Sequence, residues 1–143
     1  MRIVLDTNIL VAAARSRRGA AYAIISQLPS PKFEIALTVP LYVEYKAVLT
    51  RPEIMKDQYT ANEAIGFTRY LSGIAHKQNI YFLWRPWLKD PKDDMVLETA
   101  LASQSRYIVT HNLKDFINRS IEETFGIYPV SPKQFLSILE GER

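Results

Sequence analysis

The apolar and polar positions of this chain alternate between short β-branched runs and longer stretches of helical period. Ile3, Val4 and Leu5 form the kind of run that a parallel strand buried on both faces needs. Asp6 stands at the end of that strand, and Thr7 or Asn8 is placed to cap a helix beginning at Ile9. A second helix is predicted over Ala20 to Gln27, stopped by Pro29-Ser30-Pro31. Phe33 to Thr38 reads as the second strand. Leu41 to Thr50 follows as a helix, with Pro40 at its start and Val43, Ala47 and Val48 as its stripe, and Arg51-Pro52 ends it. Thr60 with Glu63 three residues later is a capping-box pattern, opening a long helix to Asn79 with Ile65, Phe67, Tyr70, Leu71 and Ile74 on its buried face. His76, near its end, suits a helix C-terminus.

Ile80 to Trp84 reads as a third strand. Met95 to Ala102 is a small-residue helix, apolar on more than one side and therefore central. Tyr107 to Thr110 gives a fourth strand and Gly126 to Val130 a fifth, at the sheet edge. Ser131-Pro132 caps a last helix, Lys133 to Glu140, turning Phe135, Leu136 and Leu139 inward. Strands alternating with helices imply an α/β, doubly wound, mainly parallel sheet of four to five strands. A chain of 143 residues is expected to form one domain, 1–143.

Composition narrows the chemistry. With no cysteine, disulfides, thiolate zinc sites and cysteine nucleophiles are excluded, and His76 and His111 are the only imidazoles. A metal site would be lined by oxygen, as Mg²⁺, Mn²⁺ and Ca²⁺ prefer. No apolar run approaches the ~18 residues of a membrane span, so a cytoplasmic protein without membrane attachment is expected. A net charge of +3 tolerates a polyanionic partner without requiring one.

Acidic residues recur just past the predicted strand ends. Asp6 follows the first strand, and on its own it reads equally well as a helix cap. Glu44 lies beside the stripe of its helix. Asp93 or Asp94 opens the central helix after Asp90-Pro91-Lys92, and Asp115 lies in the Thr110-to-Phe116 segment after the fourth strand. Crossovers of one hand can bring these ends together at one edge of the sheet, where open α/β sheets bind ligands. At ~5 Å and an effective dielectric of ~20, each ionised pair costs about 3 kcal/mol, a conflict that a divalent cation resolves. Such cations activate water and stabilise charge on phosphate. With no Ser-His pair in evidence, metal-assisted hydrolysis is the reaction class that the residues favour. Arg15, Arg17 and Arg18 form a basic turn suited to phosphates, and equally to a solvated loop.

Four segments, V-L-D-T-N-I-L-V, V-E-Y-K-A-V-L-T-R-P, D-P-K-D-D-M-V-L-E-T-A-L-A and Y-I-V-T-H-N-L-K-D-F, resemble in order and spacing the PIN-domain nucleases, most of all the VapC-type toxins of toxin–antitoxin pairs. The resemblance implies a PIN-like three-layer α/β/α sandwich and a Mg²⁺- or Mn²⁺-dependent endoribonuclease. Asp6, Glu44, one or both of Asp93 and Asp94, and Asp115 would be catalytic, with the aspartates as metal ligands. Thr7, Asn8, Thr110 and Asn112 would give polar support, and Arg15, Arg17, Arg18 and Lys114 would contact RNA. Tyr42, Tyr45, Trp84 and Trp87 would stack on bases or serve as core or dimer contacts. Expected partners are an RNA substrate, a protein antitoxin and a second copy of the chain. Relatives in this branch often carry aspartate where Asn112 stands, whereas Asp115 matches the position used by other PIN proteins. That departure keeps open a weakened RNA- or protein-binding module, and beside it a metal-dependent phosphohydrolase acting on DNA.

Overall fold

Ile3, Val4 and Leu5 are each 0% exposed. Successive strand side chains point to opposite faces, so this strand is covered on both. It is β1 (Arg2–Leu5), at the centre of the sheet in a computed structural model that describes residues 1–80, 91–116 and 119–141. The elements that follow are α1 (Thr7–Arg15), α2 (Ala20–Ile25), β2 (Glu34–Leu37), α3 (Val39–Leu49), α4 (Pro52–Met55), α5 (Ala61–Ile74) and β3 (His76–Lys77). Then come α6 (Pro91–Ser103), β4 (Tyr107–Val109), α7 (Leu113–Phe116), α8 (Arg119–Phe125), β5 (Tyr128–Val130) and α9 (Pro132–Gly141).

Among the described residues the sheet has five strands in the order β3-β2-β1-β4-β5, every pairing parallel. Helices on both faces make it a three-layer α/β/α fold. The chain leaves β1 in one direction through β2 to β3, then returns to the other side of β1 for β4 and β5. The direction reverses between β1 and β4, and the crevice at the carboxyl ends of those strands is the topological switch point. The central helix α6 lies against β1, β2 and β4, and its Val96, Leu97 and Ala100 are buried. On α9, Phe135 meets Phe33 edge-on with ring centroids 5.2 Å apart.

Several expectations shift by a turn. The first helix starts at Thr7 instead of Ile9, with Asp6 in the N-cap position. On α3 the buried set is Leu41, Tyr45, Val48 and Leu49, an i, i+4, i+7, i+8 face. Val43 and Ala47, expected in the stripe, face outward. The predicted stripe of the long helix is also rotated: Ala64, Thr68 and Leu71 are buried, while Tyr70 is 50% exposed. That helix does open with the capping box, Thr60 and Glu63 each accepting the other's backbone N–H. It ends at Ile74, and His76 stands in edge strand β3 opposite Ala36 instead of at a helix terminus. The strand expected over Ile80 to Trp84 lies outside the described residues except for Ile80. The short helices α4, α7 and α8 fall where no helix was predicted. Gly126 takes φ +67 after α8, a left-handed helix end that glycine accommodates.

Candidate active site

Three adjacent strands each end in a buried polar residue: Thr38 after β2, Asp6 after β1 and Thr110 after β4, exposed by 3%, 8% and 0%. Asp6 is at the N-cap of α1, yet its carboxylate makes no capping bond to the second or third residue of the helix. Its Oδ2 instead accepts the Thr110 hydroxyl at 2.7 Å, across the switch point. Thr110 Oγ1 in turn accepts the Asn112 backbone N–H at 2.9 Å and the Asn8 amide at 3.5 Å. Asn8 also takes the His111 N–H on its Oδ1 at 3.4 Å. Thr110 is thus a filled junction holding β1, α1 and the loop after β4 together.

Burial pushes the Asp6 carboxyl above the usual carboxylate range. The hydrogen bonds from Thr110 and the Thr7 backbone oppose this, the negative charge of Asp115 adds to it, and His111 opposes it weakly. Both burial and the neighbouring acid disfavour the charged form, and a cation beside Asp6 would relieve both.

The other acids are distributed as follows. Asp115 is exposed in the first turn of α7, within electrostatic reach of Asp6. Asp94 is 1% exposed in the first turn of α6, whereas Asp93 beside it is half-buried. Glu44 is half-buried on α3. Among the described residues, no three of these groups lie close enough together to share one ion. The donor chemistry nevertheless suits Mg²⁺ or Mn²⁺: carboxylates, one of them buried and destabilised as an anion, with hydroxyl and amide neighbours and no thiol.

Sequence reasoning missed Glu98, 4% exposed one turn after Asp94, and the hydroxyl side chains that join the elements. Thr38 Oγ1 accepts the Leu41 N–H at 3.3 Å and meets Thr99 Oγ1 at 2.9 Å, and Thr99 donates to the Met95 carbonyl at 2.9 Å. This chain ties the start of α3 to the middle of α6. Its signal was weak: a threonine before a helix announces a cap, and nothing in the sequence names a second partner 61 residues away.

The basic turn lies elsewhere. Arg15, Arg17 and Arg18 are exposed at the far end of α1, nine residues and ~14 Å of helix from Asp6. Arg17 borders a cleft of about 320 Å³ with Tyr59, Glu63 and Phe67. Lys114 is exposed on α7, next to Asp115. Tyr45 is a core residue at 1% exposure and Tyr42 is half-buried, while Trp84 and Trp87 lie outside the described residues.

The structure of VapBC-1 from nontypeable Haemophilus influenzae superposes with a TM-score of 0.61 at 18% identity, over 93% of this chain and 99% of that one. VapBC2 from Rickettsia felis, bound to a DNA fragment from their promoter, gives a TM-score of 0.57 at 12% identity, over 92% and 98%. At these identities the likeness is one of fold. No curated protein sequence matches the chain. The PIN domain family profile matches residues 2–114, which include β1, α3, α6 and β4 together with Asp6, Glu44, Asp93, Asp94 and Glu98, and end one residue before Asp115; the chain belongs to the PIN domain family.

Proposed function

We propose that the protein is a divalent-metal-dependent endoribonuclease and the toxin of a toxin–antitoxin pair, acting in the cytoplasm. The observation that carries this reading is Asp6: a buried carboxylate at the switch point, held by a hydroxyl instead of a cationic side chain, with Asp115 beside it raising the cost of its charge. Asp6, Asp115 and one or both of Asp93 and Asp94 would hold Mg²⁺ or Mn²⁺, with Glu44 as a further catalytic carboxylate. The cation supplies Lewis acidity toward water and phosphate. Thr110 and Asn8 orient the Asp6 carboxylate and the loop after β4. Lys114, exposed beside Asp115, would offset the repulsion between an acidic pocket and RNA. The basic turn, a helix length away, would contact a more distant part of the same strand.

The VapBC structures support an antitoxin partner for this chain. A homodimer finds support on α3, where Val39 and Val43, one turn apart, are 73% and 56% exposed. The test incubates labelled RNA and labelled DNA with the protein in EDTA, Mg²⁺ or Mn²⁺. Cleavage of RNA alone, abolished by EDTA and restored by either ion, is the expected result. Equal cleavage with and without chelator overturns the mechanism, and cleavage of DNA in preference to RNA moves the substrate to DNA. A second reading, a binding module with weakened turnover, rests on the absence of a three-acid group among the described residues and on Asn112. RNA retention without cleavage in every metal condition would favour it.

A further inference from the structure

Tyr45 stands next to Glu44 on α3 and is 1% exposed, with its hydroxyl donating to the Leu5 carbonyl. That carbonyl belongs to the peptide that joins Leu5 to Asp6. On the other side of the same peptide, the Asp6 N–H donates to the Val109 carbonyl at 2.9 Å. The peptide that presents Asp6 is therefore gripped from β4 and from α3. The register explains the need: β1 pairs with β4 as far as Leu5 opposite Val109, but with β2 only as far as Ile3 opposite Ile35. Where β2 parts from β1, the Tyr45 hydroxyl takes up the carbonyl. A phenylalanine would fill the same volume, so the hydroxyl contributes this bond and no packing. Burial and the charge of Asp6 keep the phenol protonated, and hence a donor. At its start, α3 is fastened separately to α6 through Thr38 and Thr99.

We propose that Tyr45 is a positioning residue for Asp6: by fastening α3 to the Leu5–Asp6 peptide, it sets where the Asp6 carboxylate stands and so how well it receives a divalent cation. The inference rests on the metal-dependent reading given above. Its test compares Tyr45→Phe with Val48→Ala, a cavity-forming change at a buried position of the same helix whose side chain can make no hydrogen bond. Mn²⁺ affinity is measured by calorimetry on the protein without RNA, and kcat and KM are measured below the melting temperature of both variants.

Tyr45→Phe is expected to bind Mn²⁺ about tenfold more weakly and to lose about tenfold in kcat at unchanged KM, as loss of a group that orients a ligand does. Val48→Ala is expected to melt lower yet to bind Mn²⁺ and turn over as wild type does. Wild-type affinity and kcat in Tyr45→Phe would overturn the inference. So would equal losses in Val48→Ala, which would make the effect one of general loosening. A wild-type protein that binds no Mn²⁺ overturns the metal reading itself, and this inference with it. If wild type binds Mn²⁺ without cutting RNA, the affinity comparison alone decides.

Discussion

The two ends of the central strands treat charge in opposite ways. At the N-terminal end, Arg2 meets Glu34 at 2.8 Å, with side chains 39% and 47% exposed, and a second Arg2 nitrogen donates to the Ser103 carbonyl at 3.1 Å. Nearby, the buried Ser103 and Ser105 hydroxyls satisfy each other at 2.6 Å. Positive meets negative there, in water. At the C-terminal end the strand delivers an anion to a buried position and gives it a hydroxyl, with another acid for a neighbour. A buried carboxylate normally has a cationic partner or a metal. Among the described residues, one end closes its charges among themselves, whereas the other gives Asp6 no partner of opposite charge in an ion pair, as the metal-binding pocket proposed above would require.

The comparison breaks most decisively at Asp6. Asp6→Asn keeps the shape of the side chain and is expected to reduce RNA cleavage to background. In EDTA the same variant should be more stable than wild type by on the order of 1–3 kcal/mol, because it removes a disfavoured charge. A variant that cuts RNA normally and melts lower would make Asp6 structural. Thr110→Val comes next: it strips the carboxylate of its hydroxyl donor and should cost about 1–3 kcal/mol in urea titrations. Wild-type stability would show that the junction at Thr110 carries no energy.

The pH dependence sharpens the contrast further. Because the folded state raises the Asp6 pKa, the stability associated with its protonated form is present in acid and lost as pH rises through that raised value. The advantage of Asp6→Asn over wild type in EDTA should therefore be small near about pH 3, below the ordinary carboxylate value, and grow as pH rises through the raised pKa. A gap of constant size over that range would exclude Asp6 as its source. The smallest effect belongs to the opposite end. Glu34→Gln should cost less than about 1 kcal/mol after allowance for solvent screening, with even that fading in high salt, and should leave cleavage unchanged. A larger loss would mean that the two ends are not as different as their burial indicates.

The order of elements and the parallel sheet were legible because β-branched runs between amphipathic stretches admit few topologies. The polar positions Asp6, Asn8 and Thr110 were legible because each stands next to a strand end. Helix rotation was harder to read. Val43 and Ala47 are as apolar as the residues that α3 buries, and only its neighbours α1, α5 and α6 decide that Tyr45 goes inside. Edge strand β3 was read as helix because two residues with one strand partner carry no periodicity of their own. Thr99 escaped notice, and Tyr45 was read for its ring and not for its hydroxyl, for a related reason: their bonds are to residues 61 and 40 positions away.

The strand order also sets a schedule. The first strand made is the one that must sit in the middle, and the hydroxyl that holds Asp6 arrives 104 residues later. At synthesis rates of ~5–20 residues per second, roughly 5 to 20 seconds separate the two partners during translation. Throughout that interval β1 lacks its β4 neighbour, and the switch point does not yet exist. A ribosome making this chain carries an unassembled switch point until Thr110 has been added, so a nuclease site of the kind proposed above would not yet exist while the message upstream of that codon is being read.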